Sequence, residues 1–131
     1  MIIVRPEDQA GAAGKVGSQF TGQVNPYLTM PSTDGVTINT VSFNPAARTY
    51  WHSHEKGQIL IVVAGCGWVQ SEGGPIETIR QGDTVWVPAG ERHWHGAAAG
   101  TAMTHLAISL GKTEWEGPVS DEEYGSTHTD R

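Results

Sequence analysis

The sequence predicts a single all-β domain, and three observations support this prediction. The chain has 131 residues, which is the size of one domain. It contains 17 glycines and 7 prolines, and glycine is about twice as frequent as usual. From residue 36 onward, short segments rich in β-branched residues alternate with turn signals about every eight to twelve residues. Such a pattern is typical of a β-sandwich or a small β-barrel.

The predicted strands fill the region between residues 36 and 110. They are bounded by Gly, Pro or Asn and comprise 36–43, 48–54, 58–64, 68–72, 76–79, 84–87 and 102–110. We expect the chain to turn sharply at Gly65 and at Gly82, and to form a tight turn at 88–90. Residues 36–110 are therefore predicted to form the barrel.

Two segments flank the predicted barrel. Residues 1–35 are a mixed lead-in, in which 20–24 could form a short strand. Residues 111–131 are a tail in which Ser120 stands three residues before Glu123, the capping-box arrangement that opens a helix. We expect a short helical turn at about 120–125. His128, in the polar end of this tail, is not expected to take part in a site.

Composition excludes several classes of partner. The formal net charge is −6 with only 8 Lys and Arg, which argues against a nucleic-acid groove. The longest apolar run, 59–64, is too short to span a bilayer, and the N-terminal residues lack the pattern of a secretory signal. Cys66 is the only cysteine, so no internal disulfide can form. These features predict a cytoplasmic protein without membrane or nucleic-acid partners.

Four of the six histidines form two close pairs, His52-x-His54 and His93-x-His95. Residues i and i+2 of a strand point to the same face, so each pair directs its imidazoles to one side. Gln58 follows with the same parity at the start of an apolar strand. Three imidazoles and one amide oxygen suit a divalent transition ion such as Mn²⁺, Fe²⁺, Ni²⁺ or Zn²⁺. The alternatives are that one His-x-His pair is structural and that Gln58 only hydrogen-bonds a water.

The spacing around these pairs resembles the two signature motifs of the cupin family. The first is His52-x-His54-x3-Gln58-x6-Gly65, and the second is Gly82-x5-Pro88-x-Gly90-x2-His93. The resemblance covers about residues 36–110 and implies a single-domain jelly-roll barrel, also called a double-stranded β-helix, whose metal is held by His52, His54, Gln58 and His93.

The sequence departs from the cupin pattern at three positions. Ala46 stands where glycine is usual, so we expect the turn there to form without a positive φ. Gln58 replaces the usual glutamate, and Ala97 replaces an asparagine. Replacing a carboxylate with an amide leaves a divalent site near +2 rather than +1, which strengthens its attraction for anionic ligands.

A narrower resemblance is to the bacterial cupin-type hydroxynitrile lyases. It rests on Ala47-Arg-Thr-Tyr-Trp-His-Ser-His54, Gly65-Cys-Gly-Trp68, Glu91-Arg-His-Trp-His-Gly96 and Thr101-Ala-Met-Thr-His105. This resemblance implies a manganese-dependent lyase that cleaves or forms cyanohydrins, assembled as a homodimer or homotetramer. It also implies that the strand near Phe20 could be exchanged with a partner. The alternatives are a metal-dependent dioxygenase, decarboxylase or isomerase, and a non-catalytic small-molecule-binding protein.

Strand parity predicts which residues line the barrel lumen. Met103, His105, Ala107 and Ser109 share one face, and the resemblance places Asn39 and Val41 on the lumen side of 36–43. His105 would face an open cavity as general acid or base, with a structural histidine as the alternative. His95, the other candidate catalytic residue, would support the metal ligands from behind or contact substrate rather than add a fifth ligand. Packing roles are expected for four tryptophans: Trp51, Trp68, Trp86 and Trp94. Solvent exposure is expected for three arginines: Arg48, Arg80 and Arg92.

Overall fold

The computed structural model describes residues 1–8, 11–12 and 19–125. A 3₁₀ turn at Pro6–Asp8 precedes twelve strands and one helix. The strands are β1 (Gly11–Ala12), β2 (Phe20–Thr21), β3 (Val24–Thr33), β4 (Val36–Phe43), β5 (Arg48–Thr49), β6 (His52–His54), β7 (Gln58–Ser71), β8 (Ile76–Arg80), β9 (Thr84–Val87), β10 (His93–Ala97), β11 (Met103–Leu110) and β12 (Thr113–Trp115). The helix α1 is Asp121–Gly125. The predicted all-β class is confirmed, and the lead-in adds the long strand β3 to the sheet.

The strands pair antiparallel into two layers that share β7. One layer has the order β1-β3-β4-β11-β7-β9, and the other is built from β2, β5, β6, β8, β10 and β12 together with the second half of β7. The first half of β7 pairs with β11 and β9, whereas the second half pairs with β10 and β8. This strand therefore joins the two walls of a barrel-like sheet.

The sequence predicted that a strand ends just before Gly65, and this prediction is wrong because β7 runs on without a break. It continues through Gly65 with φ +81°, and the strand changes layers there. A β-carbon at this position would lie 2.0 Å from the carbonyl oxygen of Ala102, so only glycine allows the close contact. The turn expected at 88–90 is present, with the amide of Glu91 donating to the carbonyl of Pro88.

Two apolar clusters fill the barrel beside its lumen. The first contains Val24, Val41, Phe43, Ala47, Val62, Ile79, Ala97 and Met103. The second contains Trp51, Trp68, Ile76, Trp94, Ala98, Val119 and Tyr124. The packing roles predicted for Trp51, Trp68 and Trp94 are confirmed. The prediction is wrong for Trp86, which is 56% exposed because it lies on the outward side of the short edge strand β9.

The C-terminal segment closes one side of the barrel. Ser120 and Glu123 form the predicted capping box, in which each backbone amide donates to the other side chain, at 2.9 and 3.0 Å. Arg48, expected in solvent, is instead buried beneath α1. Its guanidinium donates to the carbonyl of Val119 and to Asp121, both at 2.8 Å, and lies over the ring of Tyr124. These contacts hold the tail against the barrel.

Two further expectations concern the backbone around the first motif. We expected the turn at Ala46 to form without a positive φ, and this prediction is wrong. Ala46 has φ +70°, so the backbone keeps the left-handed geometry even with alanine there. Phe20–Thr21 pairs with β5 of the same chain, and the ring of Phe20 contacts those of Phe43 and Trp115.

In the described part of the chain, no helix has the length and apolar character needed to cross a membrane.

We predict that Gly65→Ala destabilises the fold severely. The new methyl group would meet backbone at 2.0 Å, in a region of positive φ. We expect a loss of about 3 kcal/mol or more in the free energy of unfolding, measured by urea denaturation. Gly73→Ala is the matched control, since its φ is +82° and nothing lies within 4 Å of the added carbon. It should lose only about 1–2 kcal/mol, and equal losses in the two variants would contradict the steric explanation.

Candidate metal centre and active site

The two His-x-His pairs meet because β6 and β10 are neighbouring antiparallel strands. His52 and His93 are direct cross-strand partners, and their ring centroids lie 4.3 Å apart. The His54 ring lies 5.0 Å from that of His52 and 5.5 Å from that of His93. All three side chains are buried, so residues from two distant motifs form one cluster inside the barrel.

Gln58 joins this cluster from the start of β7. Its Oε1 lies 2.9 Å from Nε2 of His93, and its amide nitrogen donates to Oγ of Ser109 at 3.2 Å. The side chain is buried, with 2% exposure. The structure thus brings His52, His54, Gln58 and His93 together, as the sequence predicted.

Protein oxygens orient three of the rings. Nδ1 of His52 donates to the carbonyl of Tyr50 at 2.8 Å, and Nδ1 of His93 donates to the carbonyl of Glu91 at 3.0 Å. Nδ1 of His54 is hydrogen-bonded to Oγ1 of Thr113 at 3.0 Å. Metal-binding histidines characteristically use one ring nitrogen in this way, which fixes the tautomer and leaves Nε2 for the ion.

The donor set fits a divalent cation. Burial lowers the pKa of His52 and His93 and lowers that of His54 to about 4, so all three rings are neutral near pH 7. Because Nδ1 of His93 carries its proton, Nε2 presents a lone pair to the lone pairs of Gln58 Oε1. Nε2 of His54 is also buried without a hydrogen-bond partner. A cation between these atoms would satisfy all of them.

His95 also borders the cluster. The nitrogens of His52, His93 and His95 lie within 4.8 Å of one another, which makes these three the tightest group of possible ligands among the described residues. However, Nδ1 of His95 is hydrogen-bonded to another imidazole, Nε2 of His105, at 2.8 Å. His54 instead has the protein-oxygen partner that orients a ligand. The hydrogen bonding therefore favours His54 over His95 as the third imidazole ligand.

The structure places His105 behind His95 rather than on an open cavity. His105 shares the inward face with Met103, Ala107 and Ser109, as parity predicted, but it is fully buried and its ring lies 5.2 Å from that of Phe43. Burial lowers its pKa to about 4 and holds the pKa of His95 well below its usual range. The expectation that His105 faces an open cavity was therefore wrong, because the Phe43 and His95 rings fill the space before it.

A cavity of about 120 Å³ opens onto the cluster. Of the predicted pocket residues, Asn39, Val41, Ala107 and Ser109 line it, together with His95. Met103 does not, because its side chain belongs to the apolar core. None of the residues that line the cavity is an acid, a lysine or an arginine. The lining consists of Gln19, Phe20, Pro26, Asn39, Val41, Thr49, His52, His54, Gln58, His95, Ala107, Ser109, Thr113 and Trp115.

Sequence reasoning missed the aromatic part of this wall. Phe20 and Trp115 come from segments that seemed peripheral to the barrel, and β12 has only three residues. The ring of Trp115 lies 4.5 Å from that of His52. The alternation of Thr113 and Trp115 around an exposed Glu114 was the available signal, but it was too short to interpret. His128 lies outside the described residues.

Comparison with known proteins assigns this arrangement to a family. The family model described as "Cupin domain" matches residues 39–109. The chain belongs to the cupin family. It is 49% identical over 130 residues to an (R)-mandelonitrile lyase of Granulicella tundricola, covering 95% of this chain and 98% of that protein.

Solved structures agree with this assignment. A cupin-like protein from Thermotoga maritima is 38% identical, with a TM-score of 0.84, over 91% of this cupin and 95% of the other chain. The polyketide cyclase RemF from Streptomyces resistomycificus is 18% identical, with a TM-score of 0.70, over 95% and 90% of the two chains. The second similarity shows a shared fold.

We predict that the metal-free cupin loses stability as the pH falls below about 6.5. Its buried histidines have lowered pKa values, so between pH 6.5 and about 4 the unfolded chain binds protons that the folded chain does not. Each such histidine reduces the free energy of unfolding by about 1.4 kcal/mol per pH unit. Urea denaturation in chelator at pH 7, 6 and 5 measures this slope.

The control for this prediction is His105→Gln. It should reduce the slope between pH 6.5 and 5, whatever its effect on stability at pH 7. A free energy of unfolding that stays constant over this interval would contradict neutral, buried histidines.

Proposed function

We propose that this cupin is a hydroxynitrile lyase, which cleaves a cyanohydrin to an aldehyde and hydrogen cyanide and catalyses the reverse addition. The 49% identical relative named (R)-mandelonitrile lyase supports this proposal. We extend it to aromatic cyanohydrins as the substrate class, because Phe20 and Trp115 provide aromatic walls.

One observation carries the chemistry: beside the cluster of proposed metal ligands, the uncharged cavity has a further unpartnered imidazole nitrogen that no proposed ligand supplies. Nε2 of His95 is buried and has no hydrogen-bond partner among the described residues, while its Nδ1 is held by His105. A neutral, partly apolar wall suits an uncharged cyanohydrin and aldehyde. The neutral ligand set leaves a bound divalent ion with its full positive charge, which favours an anionic leaving group.

The residues imply a simple proton path. Nε2 of His95 takes the hydroxyl proton of the cyanohydrin as the bond between the carbinol carbon and the nitrile carbon breaks. The oxygen's electron pair forms the aldehyde carbonyl, and cyanide leaves with the electron pair of the broken bond. The imidazolium of His95 donates its Nδ1 proton in a hydrogen bond to His105, and then returns the Nε2 proton to cyanide. His95 is thus the catalytic residue, and His105 is a positioning residue.

We propose that His52, His54, Gln58 and His93 hold the ion and that it is Mn²⁺. The set combines imidazole nitrogens with a neutral amide oxygen and lacks thiolates, which suits manganese or iron better than soft metals. When bound, the ion supplies electrostatic stabilisation of developing negative charge. Ser109 would hold the Gln58 amide so that Oε1, rather than the nitrogen, faces the ligands.

The ligand set predicts different metal contents for two variants. His54→Ala should lose most of the bound ion, by about 10-fold or more in affinity, because it removes an oriented ligand. His95→Ala should retain nearly a full equivalent. Metal analysis of both proteins after dialysis against a limiting amount of Mn²⁺ measures this difference. If His95→Ala lost the ion and His54→Ala kept it, the metal ligands would instead be His52, His93 and His95.

The activity predicts release of benzaldehyde from mandelonitrile by the Mn²⁺-loaded protein, at a rate above that of free Mn²⁺. His95→Ala should reduce kcat by about 10²–10⁴-fold while the metal content stays unchanged. His105→Ala should lower kcat with little change in KM, and His105→Gln should restore part of the activity because its side-chain oxygen can accept the same hydrogen bond. A metal-loaded wild-type protein that is inactive with aromatic and aliphatic cyanohydrins would overturn the proposal.

A further inference from the structure

Asn39 is a polar residue that neither the fold nor the proposed proton path uses. It lies in the middle of β4, between the β-branched residues Ile38 and Thr40. Its side chain lines the cavity of the candidate site. Its Oδ1 is buried and has no hydrogen-bond partner among the described residues. The cavity wall therefore contains an amide oxygen that can accept a hydrogen bond from a ligand.

This position is unfavourable for asparagine on two counts. Asparagine is depleted in strands, where β-branched and aromatic side chains pack better on the pleated surface. A buried acceptor without a partner has also lost its hydrogen bonds to water and gained none in return. Val41, the next cavity-lining residue of the same strand, is apolar and buried, as packing alone would favour. A residue that conflicts with both local preference and polar satisfaction is expected at functional sites.

Asn39 faces the cavity from a strand that supplies none of the proposed metal ligands. Its cross-strand partner on β11 is Ala107, whose own partner on β7 is Leu60. Because neighbouring strands lie about 4.8 Å apart, the backbone of Asn39 is roughly 10 Å from that of β7, which supplies Gln58. The cavity-lining residues nearest to Asn39 on the sheet, Val41 and Ala107, are apolar. An aromatic ring held against them would extend from the ligand cluster towards Asn39.

An unsubstituted cyanohydrin has no donor to spare for this oxygen. Its one hydrogen-bond donor is the carbinol hydroxyl, and in the proposed proton path this group gives its proton to Nε2 of His95. The nitrile group has no proton to donate, and the aldehyde product has none either. A hydrogen bond to Oδ1 of Asn39 must therefore come from a group on the substituent of the carbinol carbon.

We propose that Asn39 is a specificity-determining residue that selects aromatic cyanohydrins with a hydroxyl group on the ring, at the meta or para position. The inference rests on the proposed lyase function for the identity of the reacting group. A phenolic hydroxyl matches an amide because it donates to Oδ1 and can accept from Nδ2. A site that hydrogen-bonds a substrate hydroxyl discriminates against the analogue without it, since the buried acceptor then stays unpaired.

The substrate preference of Asn39→Leu tests the proposal. For the Mn²⁺-loaded wild-type protein, at a pH at which the phenol is neutral, kcat/KM should be about 3- to 10-fold higher for 3- or 4-hydroxymandelonitrile than for mandelonitrile. Leucine has nearly the size of asparagine but no amide, so Asn39→Leu should lower this ratio to about one or below.

Thr40→Val is the matched control for this measurement. It removes a hydroxyl group from the next residue of β4, whose Oγ1 is hydrogen-bonded to Oγ1 of Thr29 at 2.7 Å and which is not among the cavity-lining residues. The variant should keep the wild-type ratio of kcat/KM values. A ratio that Thr40→Val lowers as much as Asn39→Leu does would overturn the proposal.

Binding of the aldehyde products separates this proposal from the lyase activity, because binding requires no bond cleavage. Isothermal titration calorimetry should show that the wild-type protein binds 3- or 4-hydroxybenzaldehyde about 3- to 10-fold more tightly than benzaldehyde or the methoxy analogue, which cannot donate a hydrogen bond. Asn39→Leu should abolish this preference. Preferential binding without cleavage of any cyanohydrin would support the role of Asn39 and overturn the lyase proposal. Cleavage without any preference for the hydroxylated substrates would overturn the role of Asn39 alone.

The stability of Asn39→Leu distinguishes a recognition role from a packing role. The variant should have the same Tm as the wild-type protein or a higher one, because it replaces a buried acceptor without a partner by an apolar group of similar size. Thermal unfolding of both Mn²⁺-loaded proteins without aldehyde measures this difference. A Tm lower than that of the wild-type protein by about 5 °C or more would assign Asn39 to packing and overturn the proposal.

Discussion

Burial of five neutral imidazoles is the constraint on which the site depends. His52, His54, His93, His95 and His105 are all removed from water, and burial lowers the pKa of each one. Burying an imidazole costs free energy unless its ring nitrogens have hydrogen-bond or metal partners. Carbonyl and hydroxyl oxygens hydrogen-bond Nδ1 of His52, His54 and His93, which leaves Nε2 of each ring available to a ligand. The cupin barrel thus presents a candidate cation site, in which Nε2 of His54 is buried without a hydrogen-bond partner among the described residues.

The two remaining histidines use the same constraint differently. His95 and His105 are hydrogen-bonded to each other, and each keeps one ring nitrogen without a partner among the described residues; that of His95, Nε2, belongs to a ring that lines the cavity. The inner surface of the barrel therefore places two arrangements side by side: imidazoles oriented by protein oxygens, and one imidazole held by another. The period of two along each strand keeps these polar groups inside, because residues of the opposite parity point away from the lumen.

Local patterns predicted most of the fold and much of the site. The His-x-His spacing and the parity of β11 placed His52, His54, Gln58, His93, Ala107 and Ser109 correctly on the lumen side. The failures share one cause, since each depends on what packs against a strand. Met103 has the correct parity but lies at the core end of β11, and Arg48 is buried because the C-terminal helix returns over it. Gly65 bends a continuous strand that sequence patterns divide in two.

The sequence by itself determined that an all-β cupin barrel forms, which side chains point inward, and that His52, His54, Gln58 and His93 are candidate metal ligands. These properties follow from turn residues and from the two-residue repeat of a strand, which are local. Only the tertiary structure decided that His105 lies behind His95 and that Phe20 and Trp115 wall the cavity. It also decided that Ala46 keeps a left-handed backbone. These depend on contacts between segments far apart in the chain, where the space left by neighbours, and not the intrinsic preference of a residue, sets its position.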